Sequence, residues 1–155
     1  MKSFLLKDKK PIVKWSMVPD ETYFEGTAPE GYGLAICPHD PYIILDIDKH
    51  GNINGFDNVP EDLLNQELFN SLYYKTKNDG CHVWLKYSGT KTLLNKTSGL
   101  GIDLRTSKGY VKWYLPGDIR DCIHLINETS PELNTWLESL FQGVKVDNQK
   151  KINNK

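Results

Sequence analysis

At 155 residues, 39% apolar and 25% charged, the chain has the size and composition of one soluble globular domain with a full core. A formal charge of −1 excludes a global basic field, so any grip on nucleic acid must come from a local patch. No apolar run approaches the ~20 residues that span a bilayer, no stretch suits a signal peptide, and three cysteines without a CxxC argue against a disulfide framework, so the expected setting is a reducing cytoplasm without membrane contact.

Residues 1–30 read as irregular, with Pro11, Pro19 and Pro29 as breakers. Apolar and β-branched runs then predict strands at Tyr32–Cys37, Tyr42–Asp48, Leu72–Thr76, Cys81–Tyr87, Gly101–Arg105, Tyr110–Tyr114 and Ile123–Ile126. Asn78-Asp79-Gly80 and Ser107-Lys108-Gly109 are hairpin-type turn signals. A first helix is expected after Pro60, where Leu63, Leu64, Leu68, Phe69 and Leu72 recur at helical spacing. A second has Thr129 or Ser130 as N-cap, Pro131 in its first turn, Leu133, Trp136, Leu137, Leu140 and Phe141 as its apolar face, and Gly143 at its close. The expected architecture is α+β, a single domain over residues 1–143 with helices packed on a mostly antiparallel sheet; residues 144–155, rich in Lys and Asn, read as a flexible tail.

The strand over Tyr42–Asp48 ends in two aspartates one residue apart. Side chains alternate along a strand, so Asp46 and Asp48 share one face while Ile43, Leu45 and Ile47 face a core. Carboxylates held this close repel unless a cation sits between them, and Mg²⁺ or Mn²⁺ suits such hard oxygen ligands. Asp103, which shares a strand face with Arg105, would complete a two-metal site; a plain Asp–Arg pair is the alternative. The run from Asp46 to Asp57 also follows a calcium-loop pattern, but His50 is a poor calcium ligand, Asp57 is too short for the bidentate last position, and a strand precedes it where that motif needs a helix. Cys37/His39, Cys81/His82 and Cys122/His124 lack the spacing of a structural zinc site.

The order of these pieces resembles the primase-polymerase domain of the archaeo-eukaryotic primase superfamily, phage and plasmid type. The chain has Ile43-Ile-Leu-Asp46-Ile-Asp48, then a Gly-containing turn ending in His82, then Gly101-Ile-Asp103-Leu-Arg105 followed by Gly109-Tyr-Val111, and the likeness spans roughly residues 9–118. It implies a split RRM-like catalytic core. It also implies that Asp46, Asp48 and Asp103 hold two Mg²⁺ or Mn²⁺ ions and carry catalysis, while His82, Arg105, Lys77 and Lys108 bind the phosphates of an incoming (d)NTP. A single-stranded DNA template would rest on backbone contacts and stacking, with Trp84 and Trp113 as candidates, and a replicative helicase would be supplied separately. The turn departs from the family's Ser-Gly-Gly-x-His: Asn78-Asp79-Gly80-Cys81-His82 lacks the serine donor and adds a negative charge.

The expected activity is primer synthesis or extension in phage or plasmid replication. A primase-like module that binds nucleic acid or nucleotide without synthesis is the principal alternative. A two-metal nuclease and a sugar-nucleotide transferase also use such carboxylates, but the former lacks an evident general base and the latter needs a larger chain.

Overall fold

The structure, a computed structural model, describes residues 1–143; the expected tail lies outside them. The fold is α+β and mostly antiparallel. Six strands form the larger sheet: β4 (Tyr42–Ile47), β7 (Leu72–Lys75), β8 (Cys81–Lys86), β9 (Lys96–Thr97), β10 (Ile102–Arg105) and β12 (Asn127–Glu128). Its order is β12-β8-β4-β10-β9, with β7 also paired to β8. A smaller sheet, in the order β11-β3-β1-β2, contains β1 (Lys2–Lys7), β2 (Lys10–Pro11), β3 (Tyr32–Cys37) and β11 (Val111–Trp113). A two-residue pair, β5 (Lys49–His50) and β6 (Ile53–Asn54), projects beyond the end of β4. Two α-helices are present among the described residues, α1 (Glu61–Gln66) and α2 (Pro131–Phe141).

Alternation explains the layers. Ile43, Leu45 and Ile47 of β4 join Val83, Leu85, Ile102 and Leu104 under Leu133, Leu137 and Phe141 of α2. These helix residues are fully buried, so truncating one to alanine costs ~2–5 kcal/mol. Ile44, Tyr74 and Trp84 point the other way and meet Ile36, Val111 and Trp113 of the smaller sheet. Phe4, Leu6 and Ala35 cover that sheet's outer face with Trp15 and Tyr110.

Several sequence expectations change. The first 30 residues are not all irregular: β1 pairs with β3 along its whole length, from Lys2 opposite Cys37 to Lys7 opposite Tyr32. Ser107-Lys108-Gly109 does not close a hairpin, because β10 belongs to the larger sheet and β11 to the smaller; the turn carries the chain between layers. Ile123–Leu125 form a 3₁₀ turn rather than a strand, and the strand follows at Asn127–Glu128, parallel to β8. The first helix stops at Gln66, a 3₁₀ turn covers Leu68–Asn70, and Leu72 begins a strand. Ser130 caps α2 through its side chain, with Pro131 in the first turn as the sequence indicates. The end of α2 is extended Gln142, and the Gly143 N–H donates to the Thr92 carbonyl.

Candidate metal and nucleotide site

Register assembles the site. Asp46 on β4 lies opposite His82 on β8 and opposite Asp103 on β10, so three adjacent strands present their polar side chains on the face that looks towards the smaller sheet. Asp48 follows just beyond β4. Its N–H donates to the Gly101 carbonyl at 2.9 Å, and its own carbonyl accepts from the Gly55 N–H at 2.8 Å. Gly55 and Gly101 pass so closely that a Cβ on Gly55 would stand 2.1 Å from the Gly101 carbonyl oxygen, and Gly101 itself has φ +77°. Side chains at either position would push the backbone of Asp48 out of place.

Carboxylate oxygens of Asp46, Asp48 and Asp103 all lie within 4.8 Å of one another, and among the described residues this is the one group of His, Cys, Asp or Glu side chains with metal-ligand spacing. Burial pushes the Asp103 carboxyl above its usual range; Arg105 opposes the shift, and the charges of Asp46 and Asp48 add to it. Three oxygen donors that destabilise one another's charge suit a small hard divalent cation such as Mg²⁺ or Mn²⁺. The Cys/His pairs do not assemble a zinc site, and Cys81 is an inert buried thiol raised to about 12, chiefly by burial. The calcium-loop segment forms the β5–β6 hairpin after a strand, without the helix that motif requires.

His82 is 7% exposed at its side chain, and its Nε2 stands 3.6 Å from an Asp46 oxygen. Its other nitrogen faces the Tyr74 hydroxyl at 3.1 Å. That hydroxyl accepts from the Trp84 indole N–H at 3.2 Å and has the Lys112 carbonyl 3.4 Å away. Burial pushes the Tyr74 phenol far above its ordinary range, so it keeps its hydrogen. That one hydrogen has two acceptors in reach, the Lys112 carbonyl and His82 Nδ1; when Nδ1 accepts it, Nε2 carries the ring hydrogen and faces the site. Arg105 reaches Asp103 at 3.5 Å and remains partly exposed.

A cleft of about 860 Å³ opens beside Asp46, lined from both sheets. Asp46, His82, Lys77 and Arg105 line it from the larger sheet and its turn; Lys9, Lys112, Tyr32, Tyr110 and Tyr114 line it from the smaller sheet. Its basic side chains number four (Lys9, Lys77, Arg105, Lys112) against the carboxylates Asp8 and Asp46, so a near-neutral chain still carries a locally basic cleft. Asp48, His50 and Thr76 line a smaller adjoining pocket of about 280 Å³ with Asp46, Lys77 and His82.

Asp46, Asp48, Asp103, His82, Arg105 and Lys77 therefore come together. Lys108 does not: it lines a separate cavity with Asp40, Pro41 and Tyr87, because the chain turns away from the site after Arg105. Trp84 and Trp113 are buried between the sheets and offer no stacking surface. Sequence reasoning missed Lys9, Lys112 and Tyr114 as site residues. For the last two a signal existed, since alternation through 110–114 sets Tyr110, Lys112 and Tyr114 against buried Val111 and Trp113. It also missed His50 as a partner of the site; its Nδ1 lies 2.7 Å from Asp48. No family model matches the sequence, and no curated protein matches it.

Proposed function

We propose that this chain is a primase-polymerase, a metal-dependent nucleotidyl transferase that makes or extends primers on a single-stranded DNA template in the cytoplasm, in phage or plasmid replication. The observation that carries the reading is a carboxylate triad one member of which, Asp46, lines a cleft whose other charged side chains are mostly basic. A triphosphate beside a divalent cation needs that pairing of charges. The two-sheet core, with Asp46, His82 and Asp103 on adjacent strands, is read as the split RRM-like arrangement of the resembled family.

Mg²⁺ or Mn²⁺ held by Asp46, Asp48 and Asp103 would lower the pKa of a primer 3′-hydroxyl and neutralise the triphosphate. In the transfer, the 3′-oxygen bonds to the α-phosphorus as the α–β phosphoanhydride bond breaks. Pyrophosphate leaves with the electron pair, and the hydroxyl proton passes to water. His82 donates from Nε2 to a phosphate oxygen, with its ring held from behind by Tyr74. Arg105 and Lys77 add positive charge on the same wall. The family's missing serine is a lost donor, but Asp79, whose charge would oppose phosphate, lines neither the cleft nor the pocket beside it. A helicase would act in trans.

The test is a gel assay with labelled primer–template and, separately, unprimed single strand with labelled nucleotides, each in Mg²⁺ and in Mn²⁺. Wild type is expected to give metal-dependent products that an Asp46→Ala/Asp48→Ala variant does not. No product from a wild-type protein that still binds DNA or nucleotide would sink synthesis and leave a binding module; a shortened primer would identify a nuclease.

A further inference from the structure

The cleft does not end at the nucleotide-sized space beside the aspartates. A third chamber of about 620 Å³ adjoins it, sharing Tyr32, Gly33, Lys112 and Tyr114 as wall residues. Tyr114 lines all three spaces: the aspartate pocket, the cleft and this chamber. The three spaces thus meet at Tyr114.

The junction is built from two aromatic–lysine pairs. The Lys112 ammonium lies 5.2 Å from the centre of the Tyr114 ring, and that of Lys7 lies 5.3 Å from the centre of Tyr32. The stem of Lys112 crosses Gly33, where a Cβ would come within 3.1 Å of it; the absent side chain gives the lysine its course. Tyr114 packs edge-on against His82 at 6.0 Å and remains 38% exposed. Beyond the junction the wall turns apolar, with Phe24, Leu34 and Leu115. Two carboxylates there are already engaged: Asp118 pairs with Arg120 at 2.6 Å, and Asp121 accepts the Asp118 N–H at 3.1 Å. A chamber with a cation at its mouth and an apolar wall fits a nucleobase whose phosphate stays outside.

We infer that a single strand of nucleic acid runs from the aspartate pocket across Tyr114, with a phosphate on Lys112, one base stacked on Tyr114 and the next in the apolar chamber. The inference rests on the reading above that this site handles polynucleotides, and it gives that reading a strand path. Base–aromatic stacking beside a cation binds single strands with little regard to sequence, and a duplex, whose bases are already stacked, gains nothing from it.

The test is fluorescence anisotropy with labelled oligothymidylates and oligouridylates of graded length, in chelator, across a salt series. Wild type is expected to bind single strands more tightly as length grows and more tightly than a duplex of equal length. Tyr114→Ala weakens binding roughly five-fold or more, and Tyr114→Phe restores it. Lys112→Gln lowers the slope of log affinity against log salt by about 0.7, the value for one single-strand phosphate. Thermal melts establish that each variant is folded, and Lys112→Gln alters only an exposed side chain if Tyr114→Ala does not fold. Folded variants with wild-type affinity and slope would overturn the path, as would mononucleotide competing as well as a long oligomer. Chelator separates this outcome from catalysis: transfer products with unchanged binding in the variants would sink the path alone. Variant-sensitive oligonucleotide binding without any product would leave the path standing and sink synthesis.

Discussion

Asp46 and His82 stand on one wall of the cleft with Asp103 beside them, on three adjacent strands whose register is fixed by cores on both faces. Lys9, Lys112 and Tyr114 occupy the other wall, on a turn, an edge strand and the residue after it. The first wall places atoms to within an ångström or so, which a cation and a transferring phosphoryl group require. The second needs only proximity, because charge and stacking act on a ligand that adjusts to them. The difference predicts unequal sensitivity to mutation.

The largest effect is expected from Asp46→Ala. Its loss of transfer should exceed the roughly 10–100-fold that groups behind a metal ligand are worth, with the melting temperature little changed, as single-turnover kinetics and a thermal melt would show. Tyr74→Phe comes next and would sharpen the comparison, since it alters the first wall without touching ligand. It leaves the buried Trp84 indole N–H without its acceptor and frees the His82 ring. A cost of ~1–3 kcal/mol in denaturant unfolding and a raised nucleotide KM are expected. Lys9→Gln should raise KM only a few-fold, as rim charges do, and the difference should shrink with salt in a steady-state titration. An effect as large as that of Asp46→Ala would break the distinction between the walls.

The smallest effect concerns pH. Arg120 holds Asp118 below the usual carboxylate range through their hydrogen bonds. A depressed folded-state pKa contributes stability above the unfolded value of about 3.8, and that contribution is lost as pH falls through the still lower folded value. Arg120→Gln should therefore flatten the acid limb of a melting-temperature profile slightly, because the arginine side of the pair is exposed to solvent.

Legibility in the sequence follows the same division. β4, β8 and β10 are short β-branched or apolar runs bounded by turns, so their strands and the residues facing the site could be read from alternation. β1 could not: Phe4-Leu5-Leu6 has no alternation, because the strand is covered on both faces, and its partner β3 lies about 30 residues on. Lys9 lies in the turn between β1 and β2, so it could not be gathered to the second wall in advance, whereas Lys112 could be read from alternation. The resemblance places Lys108 at the phosphates, but the chain crosses between sheets after Arg105 and carries it elsewhere. Ile123–Ile126 has strand composition, but hydrogen bonds from Leu125 N–H to Cys122 and from Ile126 N–H to Ile123 wind it into a turn.

The hydrogen bond from Gly55 N–H to the Asp48 carbonyl closes residues 49–54 into a loop whose ends meet beside Asp48, next to the aspartate pocket. Its tip, Gly51-Asn52, is exposed, while Lys49 and His50 at its base line that pocket. The loop is thus a ready attachment point for a probe. A cysteine replacing Asn52 would compete for label with only one partly exposed thiol, Cys122, since Cys37 and Cys81 are buried. In a Cys122→Ser background, a single dye there would test the proposed arrival of metal and primer without altering Asp46, His82 or Asp103.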